Sequence, residues 1–146
     1  MTLDPFARSL LQAVFAMAAL TFAMFFWMSF ARLAAMKRAG LGLKDARHTE
    51  DLRPKLDAAG RKAGDNYNHL FEAPTAFYAV ALALAFSGLA DARYGVAAWA
   101  FVVFRLGHSL VQATINRVPV RLAFYLGSWA ALGYLIVRGA LQLLAR

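Results

Sequence analysis

The chain has 146 residues, of which 61% are hydrophobic and only 16% charged, whereas a soluble domain has about 45–50% and about 25%. The excess lies in long apolar runs, which excludes an ordinary soluble fold and predicts an all-α integral membrane protein, a four-helix transmembrane bundle in one domain over 1–146. The net charge is +8, and eight of the sixteen Lys/Arg lie in one loop, so the basic residues read as a topology signal and not as a nucleic-acid site. With no Cys in the chain, a disulfide, a protein thiolate and a Cys-ligated metal are all excluded.

The first predicted span covers about 10–36. It is interrupted only by Gln12, Thr21, Ser29 and Arg32, and it ends in Lys37-Arg38. It exceeds the 7–15 apolar residues of a signal peptide and reads as a retained transmembrane helix. Arg32 lies about one turn inside the basic end. Two readings stay open: it snorkels to the interface, or it turns inward toward a site. Residues 37–65 form a polar loop with eight Lys/Arg and five Asp/Glu, and Pro54–Lys62 could make a short amphipathic helix. The basic excess predicts that this loop is cytoplasmic.

The second span, about 66–89, opens with DNYNHLFEAP, so Asn66, Asn68, His69 and Glu72 crowd its first turns ahead of Pro74. The third, about 94–115, carries Arg105, His108 and Gln112 at i, i+3 and i+7, which places them on one helical face. A charge at that depth costs about 2.5–3.5 kcal/mol on insertion scales, so a partner inside the bundle is required. After the turn at Asn116–Pro119 comes the fourth span, about 121–145. Tyr125 and Ser128 follow Arg121 by one and two turns, and Arg138 near the far end is expected to snorkel outward. An even number of spans puts both termini on the side opposite the 37–65 loop, hence outside.

The helical rise places Glu72 ~9 Å, His108 ~12 Å and Arg105 ~16 Å from the cytoplasmic ends of their helices. Glu72 is the only acidic residue within a span, so an ion pair with Arg105 is expected. Arg32, Asn68, His69, His108, Gln112, Asn116 and Arg121 all fall toward the same cytoplasmic half, with Glu72 and Arg105 between them. They predict one polar, net-positive pocket for a small anionic molecule, against the plainer alternative of an ion pair that only fixes helix register. A haem held by His69 and His108 is disfavoured, because the same rise sets the two ~7 Å apart in depth.

The ordered set NHLFEAP in span two, RLGHS in span three and Arg121 sixteen residues after Arg105 resembles the MAPEG family, the membrane-associated proteins of eicosanoid and glutathione metabolism, in a bacterial form. The resemblance covers about 80 residues of helices two to four. It implies a homotrimer with glutathione as cosubstrate, bound between protomers near the cytoplasmic face. Arg121 would stabilise the thiolate, and Glu72, Arg105, His108 and Tyr125 would help build the site. It further implies a transferase or peroxidase acting on small hydrophobic electrophiles drawn from membrane lipid, with no metal, in a bacterial inner membrane with periplasmic termini. The alternative is a non-catalytic lipid-binding or scaffold protein of the same fold. The chain departs from the family pattern in three places. His69 stands where many members have Asn, Asp65 and Asn68 stand where eukaryotic members have Arg, and Gln112 replaces a Tyr.

Overall fold

The computed structural model describes residues 4–145. Its helices in chain order are α1 (Pro5–Arg38), α2 (Thr49–Leu52), α3 (Ala58–His69), α4 (Ala73–Phe86), α5 (Ala92–Ala113) and α6 (Val118–Leu144). Four helical segments are long and apolar enough to cross a membrane, with α3 and α4 together forming the second. The protein is an all-helical transmembrane bundle, and the predicted spans are recovered with shifted ends.

α1 starts earlier than predicted because Asp4 caps it: its carboxylate accepts from the amides of Phe6 and Ala7 at 3.0 Å, with Pro5 at the first helical position. Lys37 and Arg38 close the helix at its negative dipole end. Leu10, Ala13, Met17, Leu20 and Met24 form its buried stripe, while Phe15, Phe22, Phe26 and Phe30 are exposed. Both faces are apolar, as expected of a helix with protein on one side and lipid on the other.

The largest departure is at the start of span two. The helix begins at Ala58 rather than near Asn66, and the Pro54–Lys62 segment divides into a single 3₁₀ turn, Arg53–Lys55, and the first turn of α3. Asp57 caps α3 by accepting from Gly60 N at 2.9 Å, and it pairs with Arg38 at 2.5 Å. Those contacts, the Gly60 amide first, hold the Asp57 carboxyl below its usual range. A Cβ on Gly60 would lie 2.7 Å from that of Ala35, so only glycine permits this approach of α3 to α1. The loop between them folds back over the end of α1, where Leu52 and Leu56 bury Ala35 and Met36.

Pro74 then interrupts the span. Its ring would clash with the carbonyl of Leu70, four residues earlier, and it lacks an amide hydrogen. The helix therefore ends at His69 and restarts at Ala73. The apolar core lies away from this break. Phe77 stacks on Phe101 with ring centroids 4.3 Å apart, among Met17, Ala98, Leu132 and Leu135. α5 and α6 form an antiparallel hairpin in which Phe104 packs onto Gly127 and Phe124 onto Gly107. At its far end Arg138 does not snorkel outward. It donates to both carboxylate oxygens of Asp91, at 2.8 and 2.5 Å, and lies 4.2 Å from the Tyr94 ring centroid. The carboxylate capping α5 supplies a nearer counter-charge than the headgroups.

Candidate functional site

The Pro74 break builds the site. His69 takes no backbone hydrogen bond across it; its carbonyl is met instead by Nη2 of Arg105, reaching over from α5. Arg105 is fully buried. Its Nε and Nη1 have no partner among the described residues.

The expected Glu72–Arg105 ion pair is absent among the described residues. Glu72 lies in the break itself, and its carboxylate accepts from Nδ1 of His69 at 3.0 Å while its side chain is 49% exposed. Interrupting the helix turns Glu72 away from the position a continuous helix would give it, so it faces the edge of the bundle.

His108 joins the helices. Its Nδ1 donates to the carbonyl of Arg121 at 3.1 Å, because a carbonyl can only accept. In the neutral ring this tautomer leaves Nε2 as an acceptor, and that atom is buried without a partner among the described residues. The His108 ring lies 5.8 Å from those of both His69 and Tyr125. The two histidines touch edge to face, which leaves no space for a macrocycle between them. Gln112 and Ser109 lie on the same α5 face, also buried, with Oε1 and Oγ unpartnered among the described residues.

Arg121 stands at the rim, half-buried, and Nη1 donates to Oδ1 of Asn116 at 2.8 Å. Asn116 has φ 49°, and its amide donates back to Val111 at 2.7 Å. Asn is one of the few residues that accept this left-handed turn. Lys62 fixes the same corner from α3, donating to the carbonyl of Thr114 at 2.7 Å.

His69, Glu72, Arg105, His108, Gln112, Arg121 and Tyr125 are therefore brought together around α5. Arg32 and Asn68 are not part of this group. They line a separate cavity of about 220 Å³ between α1 and α3, with Arg53 and Arg61. Asn68 is one residue before His69, hence about 100° round the helix, and points to the other side. The single predicted pocket is thus two clusters within one protomer. Sequence reasoning passed over one participant, Ser109, which is i+4 from Arg105, so the same periodicity marks it. Asn116 is grouped by sequence with the polar residues of this half, but its hold on Arg121 is not legible there.

The model of the MAPEG family matches residues 10–141. This chain belongs to the MAPEG family. Among curated proteins and solved structures no match is found. The MAPEG assignment makes this a multi-pass membrane protein of the glutathione and eicosanoid metabolism family. Among the described residues no cluster of metal-ligating side chains occurs.

Proposed function

We propose that this MAPEG protein is a glutathione-dependent transferase or peroxidase for hydrophobic electrophiles, working in a bacterial inner membrane as a homotrimer. One observation carries the reading: buried, unpartnered donors and acceptors on Arg105, His108 and Gln112 lie behind a half-exposed rim of His69, Glu72 and Arg121. Polar atoms left unpaired inside a bundle cost free energy unless a ligand or water meets them. An ionised carboxylate at a membrane edge is likewise costly, and a neighbouring copy over this face would cover it.

Glutathione brings carboxylates, amides and a thiol, which suits a site rich in cationic donors. Arg105 and His108 take its polar backbone, and Glu72, oriented by His69, takes its ammonium. The thiol, with a pKa near 8.5, loses its proton, and the Arg121 charge favours the thiolate. In transfer, the thiolate sulfur bonds to the electrophilic carbon and the leaving group departs with its electron pair. With a hydroperoxide, the thiolate attacks the terminal oxygen, the O–O bond breaks, and the alkoxide leaves and takes up the proton that the thiol released, giving an alcohol and a sulfenic acid. A second glutathione then reduces the sulfenic product to disulfide and water. The electrophile arrives through lipid.

Arg121→Leu should lower the thiolate absorbance at neutral pH and cut the conjugation rate with an activated aryl halide by ~10²–10³, as oxyanion-donor losses do. Arg117→Leu, at an exposed turn position, should change neither. Equal small effects would remove the role of Arg121. No conjugation by the parent protein would favour the second reading, a non-catalytic lipid-binding or scaffold MAPEG protein. That reading draws on Asp65, which is bound to Arg53 at 3.0 Å where eukaryotic members have Arg.

A further inference from the structure

A further cavity opens at the opposite end of the α5–α6 hairpin and shares no lining residue with the cationic cluster. It is a groove of about 620 Å³ between the two helices, lined by Ala92, Arg93, Ala97, Ala100, Ala130 and Tyr134 among others. Its origin is local. Phe104 on Gly127 and Phe124 on Gly107 hold the helices together toward the cytoplasmic turn. Beyond that contact the facing residues are mostly alanines, too small to fill the gap. The groove runs from Arg93 to Phe104, about 11 residues or ~17 Å at the helical rise, close to the ~15 Å depth of one leaflet's hydrocarbon.

Its mouth is charged. Arg93 is exposed in the first turn of α5, and its guanidinium has no hydrogen bond or ion pair among the described residues. The nearby carboxylate, Asp91, is already taken up by Arg138 and by the amide of Tyr94. A free cation thus caps an apolar channel as long as a leaflet is deep. The volume also speaks to the occupant. A helix ~10 Å across and ~17 Å long would need roughly twice this space, whereas a single extended hydrocarbon chain fits.

We propose that this groove is a binding site for an anionic phospholipid of the leaflet opposite the 37–65 loop, with one acyl chain on the alanine floor and the phosphate on Arg93. The site is independent of the glutathione reading, since it shares no residue with that cluster.

The test is native mass spectrometry of the detergent-purified full chain, titrated with phosphatidylglycerol or phosphatidylcholine of identical acyl chains. One phosphatidylglycerol per chain should be retained at least tenfold more tightly than phosphatidylcholine. Arg93→Gln should abolish the preference. Arg8→Gln, an exposed cation on the same side of the membrane, should leave it intact. Ala130→Trp, which fills the groove, should weaken both lipids at least tenfold without lowering the melting temperature in detergent. Equal losses from Arg8→Gln and Arg93→Gln would mean diffuse charge attraction and overturn the site. So would Ala130→Trp reducing the oligomeric mass with lipid retention unchanged, because the groove would then be covered by a second copy. Melting of Ala130→Trp would transfer the decision to Ala97→Leu, a smaller filling change, under the same criteria.

Discussion

Arg121 owes its orientation to Asn116. The turn needs a residue that tolerates φ 49° and has an acceptor one helical turn from the guanidinium, and Asn meets both needs. The two requirements can be separated. Asn116→Gly keeps the left-handed turn and removes the acceptor, so the fold should persist while the conjugation rate drops roughly fivefold, the equivalent of about 1 kcal/mol for one hydrogen bond. Asn116→Ala loses the acceptor and also pays about 1–2 kcal/mol for a Cβ in the left-handed region, so it should melt below the Gly variant. Paired rate and melting measurements check this, and an unchanged rate in Asn116→Gly would exclude the orienting role. At the same scale, Glu72 and His69 should show a larger coupling in a double-mutant cycle than Glu72 and Arg105 do, because only the first pair is in contact. The reverse order, measured by unfolding in detergent, would restore the ion pair expected from the continuous-helix picture.

Among elements, the α5–α6 hairpin is tied at both ends by different means. Toward the α5–α6 turn the tie is the interlock of Phe104 with Gly127. Toward the other face it is Asp91, which caps α5 by accepting from Tyr94 N at 3.1 Å and grips Arg138 on α6. The Arg138 hydrogen bonds hold the Asp91 carboxyl at about 2, down from 3.8. A carboxyl depressed in the folded state stabilises above its unfolded value and loses that contribution as pH falls toward the folded one. The window is therefore from about pH 4 down to about pH 2. The full shift would be worth about 2 kcal/mol, but the Asp91 side chain is 37% exposed, and solvent screening reduces this to ~1 kcal/mol. Asp91→Asn keeps the helix cap and removes the charge. It should melt lower at pH 7 and lose less stability than the parent between pH 4 and 2. Parallel melting curves for the two proteins across that window would show that the pair contributes nothing.

For the whole molecule, topology follows from where the cations lie. Residues 37–65 hold eight of the sixteen Lys/Arg, so that side is expected to be cytoplasmic. The Cys-free chain allows a clean test: Lys44→Cys, exposed in the loop, should resist an impermeant thiol reagent in intact cells and react after lysis. Labelling in intact cells would invert the orientation. The half-exposed Glu72 and His69 supply the physical motive for assembly, and native mass spectrometry should show three copies; monomer alone would count against it.

The periodicities of the chain were enough for the four apolar spans and the shared face of Arg105, His108 and Gln112, while the family was legible only through the resemblance of the NHLFEAP and RLGHS motifs. Hydrophobic runs and i, i+3, i+7 spacing depend only on the helix repeat. The extension of α3 back to Ala58 was only partly legible: a short helix over Pro54–Lys62 was expected, but not its continuation into the second span, which depends on Asp57, on Gly60 against Ala35 and on Lys62 reaching Thr114. The partners of the buried charges were not legible. Pro74 early in a span is compatible with a continuous helix that adapts around it, so neither the break nor the way Glu72 turns at it was legible. Arg138 meets Asp91, 47 residues away in sequence, only because aromatic rings seated on glycines set the register of two antiparallel helices. Which groups lie within a helix's reach is a local property that sequence determines. Which charge meets which across helices depends on close packing between them, and tertiary structure alone decided it.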